Sequence, residues 1–525
     1  MKREKNRLQF VSVVQTTCRS WGVPLAGLFW LLGLLACARL PLGMRPALTA
    51  TPEMIWPTSS ETAPAAPSPT PRPLAPAVGA VQPPPPDYRV RVHPDGGLYA
   101  GDQVSFEVIR LDRRAAGDQV QIQVQGTPAL TLGPASFQLF GIEGRGQATF
   151  LWAWDTQLLA AGSYTLTFSI LPDGPVWDQT VSLLGKEQLP PPEPEAHWAS
   201  ARSECCVLYY ITGTDAAADI ETLRALADEQ ARDAVQRMQI GFTQPLTLTL
   251  LPRVLGHGGF ASQEIYISYL EQNYAGGSFP MIVHHEMIHI LDARLGGDVR
   301  PNIFVEGLAV YLSGGHFRPE SILPRAAALL DLAHEEGGWY IPLKDLANDF
   351  YTAQHEVGYL EGAALIAYLV ERYGWEAFSA FYRDIHPMQE GDASPAAAID
   401  AALKKHFSLS LDQLESQWIA FLRQQTFTPE QREDLRLTVL FYNTVRRYQQ
   451  AYDPSAYFAT AWLLDGAQMR QRGIVADYLR RPRALENLLF EAILIQAEQK
   501  LSAGEYAPAE NLLNTINLAL DSGPK

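Results

Sequence analysis

Two proline-rich tracts decide how this chain of 525 residues can be divided. The first, "TATPEMIWPTSSETAPAAPSPTPRPLAPAVGAVQPPPP", is dominated by proline and small residues. It cannot bury enough apolar surface to offset the entropy of ordering and is expected to be an extended spacer. The second, "LPPPEPE" from Leu189 to Glu195, is shorter and reads as a stiff hinge. A chain of this length exceeds a single hydrophobic core in any case. The resulting division is a basic segment 1–20, an apolar segment 21–38, a Pro-rich linker 39–87, a strand-rich domain 88–187, the hinge 188–196, an α+β domain 197–427 and a helical region 428–525.

Charge separates the start from the rest. The first fifty residues carry seven Lys/Arg against one acid, Glu4, and five of the seven precede "WGVPLAGLFWLLGLLACA", which has no charge from Trp21 to Ala38. That pattern is expected of a signal peptide or an N-terminal signal anchor, with everything after Ala38 exported. "ACA" (Ala36 to Ala38) fits a small-x-small cleavage site, while "LLAC" resembles a lipobox that would lipidate Cys37, although Leu35 is bulkier than usual there. Cleavage, lipidation and retention stay open, so the expected location is extracytoplasmic, either membrane-anchored or secreted. The remaining residues hold 34 basic and 56 acidic groups, a balance that repels nucleic acid. Of four cysteines, only the adjacent Cys205 and Cys206 lie in the body. They form either a strained vicinal disulfide or two thiols, and neither makes a disulfide framework or a thiolate zinc site.

Between the two breaks the apolar period is two. Val120, Ile122 and Val124 alternate with glutamines, and Leu166, Phe168 and Ile170 alternate with Thr165, Thr167 and Ser169. With "YRVRV", "VSFEV", "ATFLWAW", "WDQTVSL" and a strand near "SFQLFG", about seven strands follow, each with one wet face. This reads as an immunoglobulin-like antiparallel sandwich in architecture only, since no Cys–Trp–Cys pattern is present. Its expected role is a spacer or a module that docks on a surface partner.

From His197 strands alternate with a helical segment ("CCVLYYI", "DAAADIETLRALADEQARDAVQRM", "LTLTLLP", "EIYISYL"), and beyond Met281 nearly everything reads as helix. A small sheet followed by a helical half is the expected α+β arrangement. The tail after Phe427 is helical too. "LSAGEYAPAENLL" resembles one tetratricopeptide turn, too few for a solenoid, and the tail is expected to be an all-α appendage without assigned chemistry.

The chemistry concentrates in "MIVHHEMIHILD", Met281 to Asp292. Residues four apart on a helix share a face, so His285 and His289 present two imidazoles one turn apart, suited to a single zinc ion. Glu286 is rotated to one side and can accept a proton from a bound water; His-Glu-x-x-His is the arrangement that makes this possible. His284 is out of register and is expected to make a polar contact or nothing. The helix is apolar nearly all round, so unpaired His, Glu and His would be costly there without a metal or partners. A catalytic zinc needs a third protein ligand, and Glu306 in "NIFVEGLAVYL" supplies one from a second helix.

His-Glu-x-x-His followed by Glu306, Gly307, Leu308, Ala309 and Tyr311 is similar to the gluzincins, in particular the peptidase MA-like family related to the aminopeptidase N and thermolysin groups. The likeness extends through "GYLEGAALIAYLVERYG" and "SLSLDQLESQWIAFL", about two-fifths of the chain from Trp198 to Leu422. The resemblance implies a zincin-like fold, Zn²⁺ held by His285, His289 and Glu306, Glu286 as general base, and Tyr359 as donor to the oxyanion. His355, one turn earlier, is an alternative donor. Asp292 would either orient an imidazole or be a solvated or capping acid. The pattern departs in its short span between His289 and Glu306 and in lacking a Gly-x-Met-Glu-Asn segment, so Glu264 offers no grip on a free substrate amine.

The expected activity is an exported zinc metallopeptidase acting on peptide or protein. A zinc hydrolase of another bond and a non-catalytic surface-binding protein with a vestigial metal are the competing readings. An intact Glu286 argues against the last.

Overall fold

Alternating apolar residues become nine strands between Tyr88 and Leu184: β1 (Tyr88–His93), β2 (Leu98–Tyr99), β3 (Gln103–Arg110), β4 (Gln119–Val124), β5 (Leu130–Ser136), β6 (Gln138–Phe140), β7 (Arg145–Asp155), β8 (Gly162–Leu171) and β9 (Val176–Leu184). They form two sheets, ordered β1-β3-β7-β6 and β2-β9-β8-β4-β5. Val120, Ile122, Leu166 and Phe168 are fully buried between them with Val104, Phe106 and Trp154. The computed structural model describes residues 85–111, 117–126, 129–316, 318–336, 339–351, 355–388 and 391–523. The apolar segment 21–38, Cys37 and most of the Pro-rich linker lie outside them. Among the described residues no helix is long and apolar enough to cross a membrane.

The sandwich differs from its sequence pattern in two ways. β2 and β5 were not legible, being a two-residue strand and the irregular "LTLGPAS". And β3 has no wet face: Ser105 and Glu107, expected to be solvated, are 0% and 1% exposed. Their face is covered by the C-terminal region, where His93 stacks on Trp462 with ring centres 4.0 Å apart and Trp152 Nε1 donates to Asp477 at 3.4 Å.

The second domain is built on a sheet ordered β10-β11-β12-β14-β13. Its strands are β10 (Trp198–Arg202), β11 (Cys206–Ile211), β12 (Leu246–Leu251), β13 (Gly259–Ala261) and β14 (Ile265–Ser268). β11, β12 and β14 run parallel, and β13 is an antiparallel edge strand. Cys205 and Cys206 are bonded to each other at the start of β11. Helices α1 (Asp215–Ala218), α2 (Ile220–Met238) and α3 (Phe279–Leu295) follow. Next come α4 (Asn302–Ser313), α5 (Ile322–Glu336), α6 (Leu343–Asn348), α7 (His355–Tyr373), α8 (Trp375–Arg383), α9 (Pro395–Phe407) and α10 (Leu411–Leu422). α3 is the central helix. Ser278 and Pro280 open it, and Val283, Met287, Ile288 and Leu291 are all fully buried, as an all-round apolar helix requires.

The C-terminal helices are α11 (Pro429–Tyr452), α12 (Gly466–Arg472), α13 (Ala476–Leu479), α14 (Leu485–Ser502) and α15 (Tyr506–Asp521). They are no detached appendage. Buried Arg253, just after β12, pairs with Asp95 of the sandwich at 3.1 Å and with Asp453 at 3.0 Å, joining three regions at one guanidinium. Arg480 bonds Asp102 and also Glu193, which lies in the segment read as a hinge. That segment is therefore tied at Glu193 to the C-terminal region, which also contacts the sandwich at Asp102. The physical reason is a set of buried charges with partners on different segments, which linear sequence does not reveal.

Candidate active site

α3 and α4 cross so that their polar residues meet. His285 Nε2 lies 3.4 Å and His289 Nε2 3.3 Å from the same Oε2 of Glu306. One ligand atom from each residue falls within 4.8 Å of the others. The two rings stand nearly perpendicular with centres 4.7 Å apart. Glu306 is carried in by a close helix contact: Gly307 of α4 packs directly on Gly362 of α7, leaving no room for a Cβ on either. Its other oxygen accepts from Tyr351 Oη at 2.5 Å.

Glu286 stands beside this triad, 6% exposed, under the edge strand β13. A Cβ at Gly259 would come within 2.6 Å of Glu286 Oε1, so glycine there makes room for the carboxyl. Burial pushes Glu286 up to about 7, partly opposed by His289. Burial also drives His285 down to about 4. In His289 burial acts in the same sense, but the Glu306 carboxylate overrides it and lifts the ring to about 9. Glu306 stays ionised well below the usual range: burial opposes this, and His289 and His285 outweigh it. The Nδ1 atoms of both histidines find no hydrogen-bond partner, so the Nε2 atoms are the donors aimed at the common point.

Tyr359 lies on α7, 5% exposed, its ring 6.3 Å from that of His285. Burial, and then Glu306, hold its hydroxyl protonated well above its ordinary value. Two histidines contact its ring, His316 stacked at 4.1 Å and His355 tilted at 4.1 Å between ring centres. His284, out of register as expected, contacts Ser313 Oγ at 2.8 Å and the Asp233 carboxylate at 3.0 Å. Asp292 is neither solvated nor a cap: it is fully buried and paired with Arg300 at 2.9 Å, and it does not hold His289. Glu264 is spent on structure, accepting from Thr249, Tyr266 and Arg470.

Sequence reasoning missed Tyr351, His257 and His316. Tyr351 precedes α7 outside any periodic run. His316 follows Gly314 and Gly315; Gly314 ends α4 in the left-handed region at φ 75° and turns the chain back to the site. Nothing short of the fold marks these residues. They line a cleft of about 440 Å³ with His285, Glu286, His289 and Glu306. Two of its walls come from elsewhere in the chain: Ile142, from the β6–β7 turn of the sandwich, and Phe458, after α11. Ile142 N donates to Ala459 O at 2.8 Å, and Tyr457 Oη donates to Glu143 at 2.7 Å, which fixes the turn there.

Two imidazoles and a carboxylate from separate helices, with a second buried carboxyl beside them at a cleft, define a candidate metal centre with a candidate base. The donor set fits a zinc ion, since imidazole nitrogen and carboxylate oxygen are its ordinary ligands and three of them leave one position open. No family model matches the chain, and no curated protein matches it. Among solved structures, the crystal structure of an aminopeptidase N family protein from Idiomarina loihiensis is similar at 11% identity and a TM-score of 0.25, over 62% of this chain and 68% of that one. A likeness at that level carries no argument about chemistry, which has to come from the side chains.

Proposed function

We propose that this protein is an exported zinc-dependent peptidase. The observation that carries the reading is the convergence of His285 and His289 on one oxygen of Glu306, at 3.4 and 3.3 Å, with Glu286 adjacent. In this reading His285, His289 and Glu306 hold the ion, which when bound supplies Lewis acidity toward water and a carbonyl. Glu286 takes the proton of the attacking water and delivers it to the leaving amine. Tyr359 donates to the developing oxyanion, an interaction of about 3 kcal/mol in comparable sites. Tyr351 holds Glu306 in place through its hydrogen bond.

A peptide is favoured over other electrophiles because an edge strand borders the cleft. Gly259, Phe260, Ala261 and Ser262 line it, and β13 has a partner on one side only. An extended peptide adds to such an edge through main-chain hydrogen bonds. The sandwich contributes Ile142 to the substrate wall. Export rests on the basic start and the uncharged run from Trp21 to Ala38.

The test uses the full-length chain purified without chelator, assayed for zinc content and for cleavage of a peptide library beside Glu286→Gln. Equal zinc in both, with the variant slowed at least about 10²-fold, is the expected result. Wild type that binds zinc and cleaves nothing, or a variant as active as wild type, overturns it.

A further inference from the structure

The cleft holds a second group of metal-ligating side chains that the proposed chemistry does not use. His355 and Glu356 are the first two residues of α7, and His316 reaches them from the loop after α4. One ligand atom from each lies within 4.8 Å of the others. All three residues are buried, at 8%, 3% and 5% exposure for His316, His355 and Glu356. His316 Nδ1 already sits 3.3 Å from Glu356 Oε2.

The independent sign of a ligand is what this burial leaves unmet. Both ring nitrogens of His355 and the Oε1 of Glu356 are buried without a hydrogen-bond partner. A buried polar atom without a partner is destabilising, and more so when it is charged. Packing alone does not explain an imidazole here. His257 stacks on the ring at 4.0 Å and Phe458 meets its edge at 4.8 Å, contacts a phenylalanine would make without orphaned nitrogens. A cation takes one His355 nitrogen together with a Glu356 carboxylate oxygen, relieving two of the groups that burial leaves unmet.

We infer that His316, His355 and Glu356 form a second divalent-cation site in the wall of the cleft. Two imidazoles and one carboxylate suit a borderline ion such as Zn²⁺, Co²⁺ or Ni²⁺ and not Ca²⁺ or Mg²⁺, which favour oxygen donors. The ion enters from the cleft, since His316 and His355 line it. Two features make this site the weaker of the two. Its His316 ring lies 5.7 Å from that of His285, so an ion in the first site repels one in the second. Arg446, 3.4 Å from His257 Nε2, adds positive charge behind the stacked ring. The inference is independent of the peptidase reading: it concerns other residues and asks only for binding.

The test is a Co²⁺ and Zn²⁺ titration of the metal-free full-length chain, followed by calorimetry and by visible absorption of the Co²⁺ form. Wild type should take two equivalents, the second at least tenfold weaker than the first. His355→Phe and Glu356→Gln should each lose the second equivalent and keep the first. His289→Ala should lose the tight one and keep the other. His355→Phe should also melt no lower than wild type without metal, because it removes orphaned nitrogens, so loss of binding is not loss of folding. A single equivalent that His355→Phe and Glu356→Gln both retain, or a second equivalent retained in both, overturns the inference. Loss of the weak equivalent in those variants with His289→Ala unchanged supports the second site and rejects the first.

Discussion

The contact of Gly307 with Gly362 sets where Glu306 stands, and Gly307→Ala tests this. A Cβ on Gly307 would lie 2.5 Å from the carbonyl carbon of Gly362 and 2.6 Å from its oxygen. Carbon contacts become comfortable near 3.5 Å, so α4 and α7 must part by roughly 1 Å. Both obstructing atoms are backbone, and no rotamer relieves them; overpacking of this kind costs about 1–3 kcal/mol. Glu306 is the residue before Gly307, so it moves with the helix. A coordination bond is about 2 Å long, and a shift of half that length should weaken zinc at least tenfold. The assay is zinc affinity by competition with a chromophoric chelator, together with a thermal melt. Gly358→Ala on the same helix is the control: its Cβ meets Leu346 Cδ1 at 3.2 Å and the Phe350 ring, side chains that can give way. Gly307→Ala with wild-type zinc affinity and melting temperature would refute the reasoning.

Two further outcomes follow from the assembly around the site. Burial disfavours a charged His93, but the hydrogen bonds it donates to Asp95 and Glu107 outweigh it and raise the ring to about 9. A raised histidine stabilises fully below its ordinary pKa, and that contribution, on the order of 3 kcal/mol, is lost as pH climbs from about 6.5 through about 9. Denaturant midpoints measured across that window should fall, and His93→Gln should flatten the fall. Ile142→Asp should raise KM for apolar peptides several-fold while zinc content stays the same; unchanged peptide preference would remove the sandwich from the substrate wall.

How legible the site was depends on the kind of signal each residue carried. His285, Glu286 and His289 are spaced by one helical turn in an apolar run, so helix geometry alone groups them. Glu306 needed a second helix, and its place in the amphipathic run after His289 and in the Glu-Gly-Leu-Ala-x-Tyr resemblance marked it; that Gly307 is where α4 meets α7 was visible only in the fold. Tyr351, His257 and His316 carry no period and reach the cleft only through turns and loops. The strand pattern of the sandwich was visible because period two is local. The burial of Glu107 and Ser105, the pinning of Glu193 by Arg480, and the placement of Ile142 at the cleft depend on contacts between residues hundreds apart. The Trp–Asp and Arg–Asp pairs that fix the C-terminal helices are of the same long-range kind, which is why those helices read as an appendage.

The most direct measurement of the central claim is X-ray diffraction above and below the zinc absorption edge from crystals loaded with one equivalent of zinc. The account predicts one anomalous peak at coordination distance, about 2.0–2.2 Å, from His285 Nε2, His289 Nε2 and a carboxylate oxygen of Glu306. Zinc seated elsewhere, or a Glu306 side chain turned away from the peak, would contradict it.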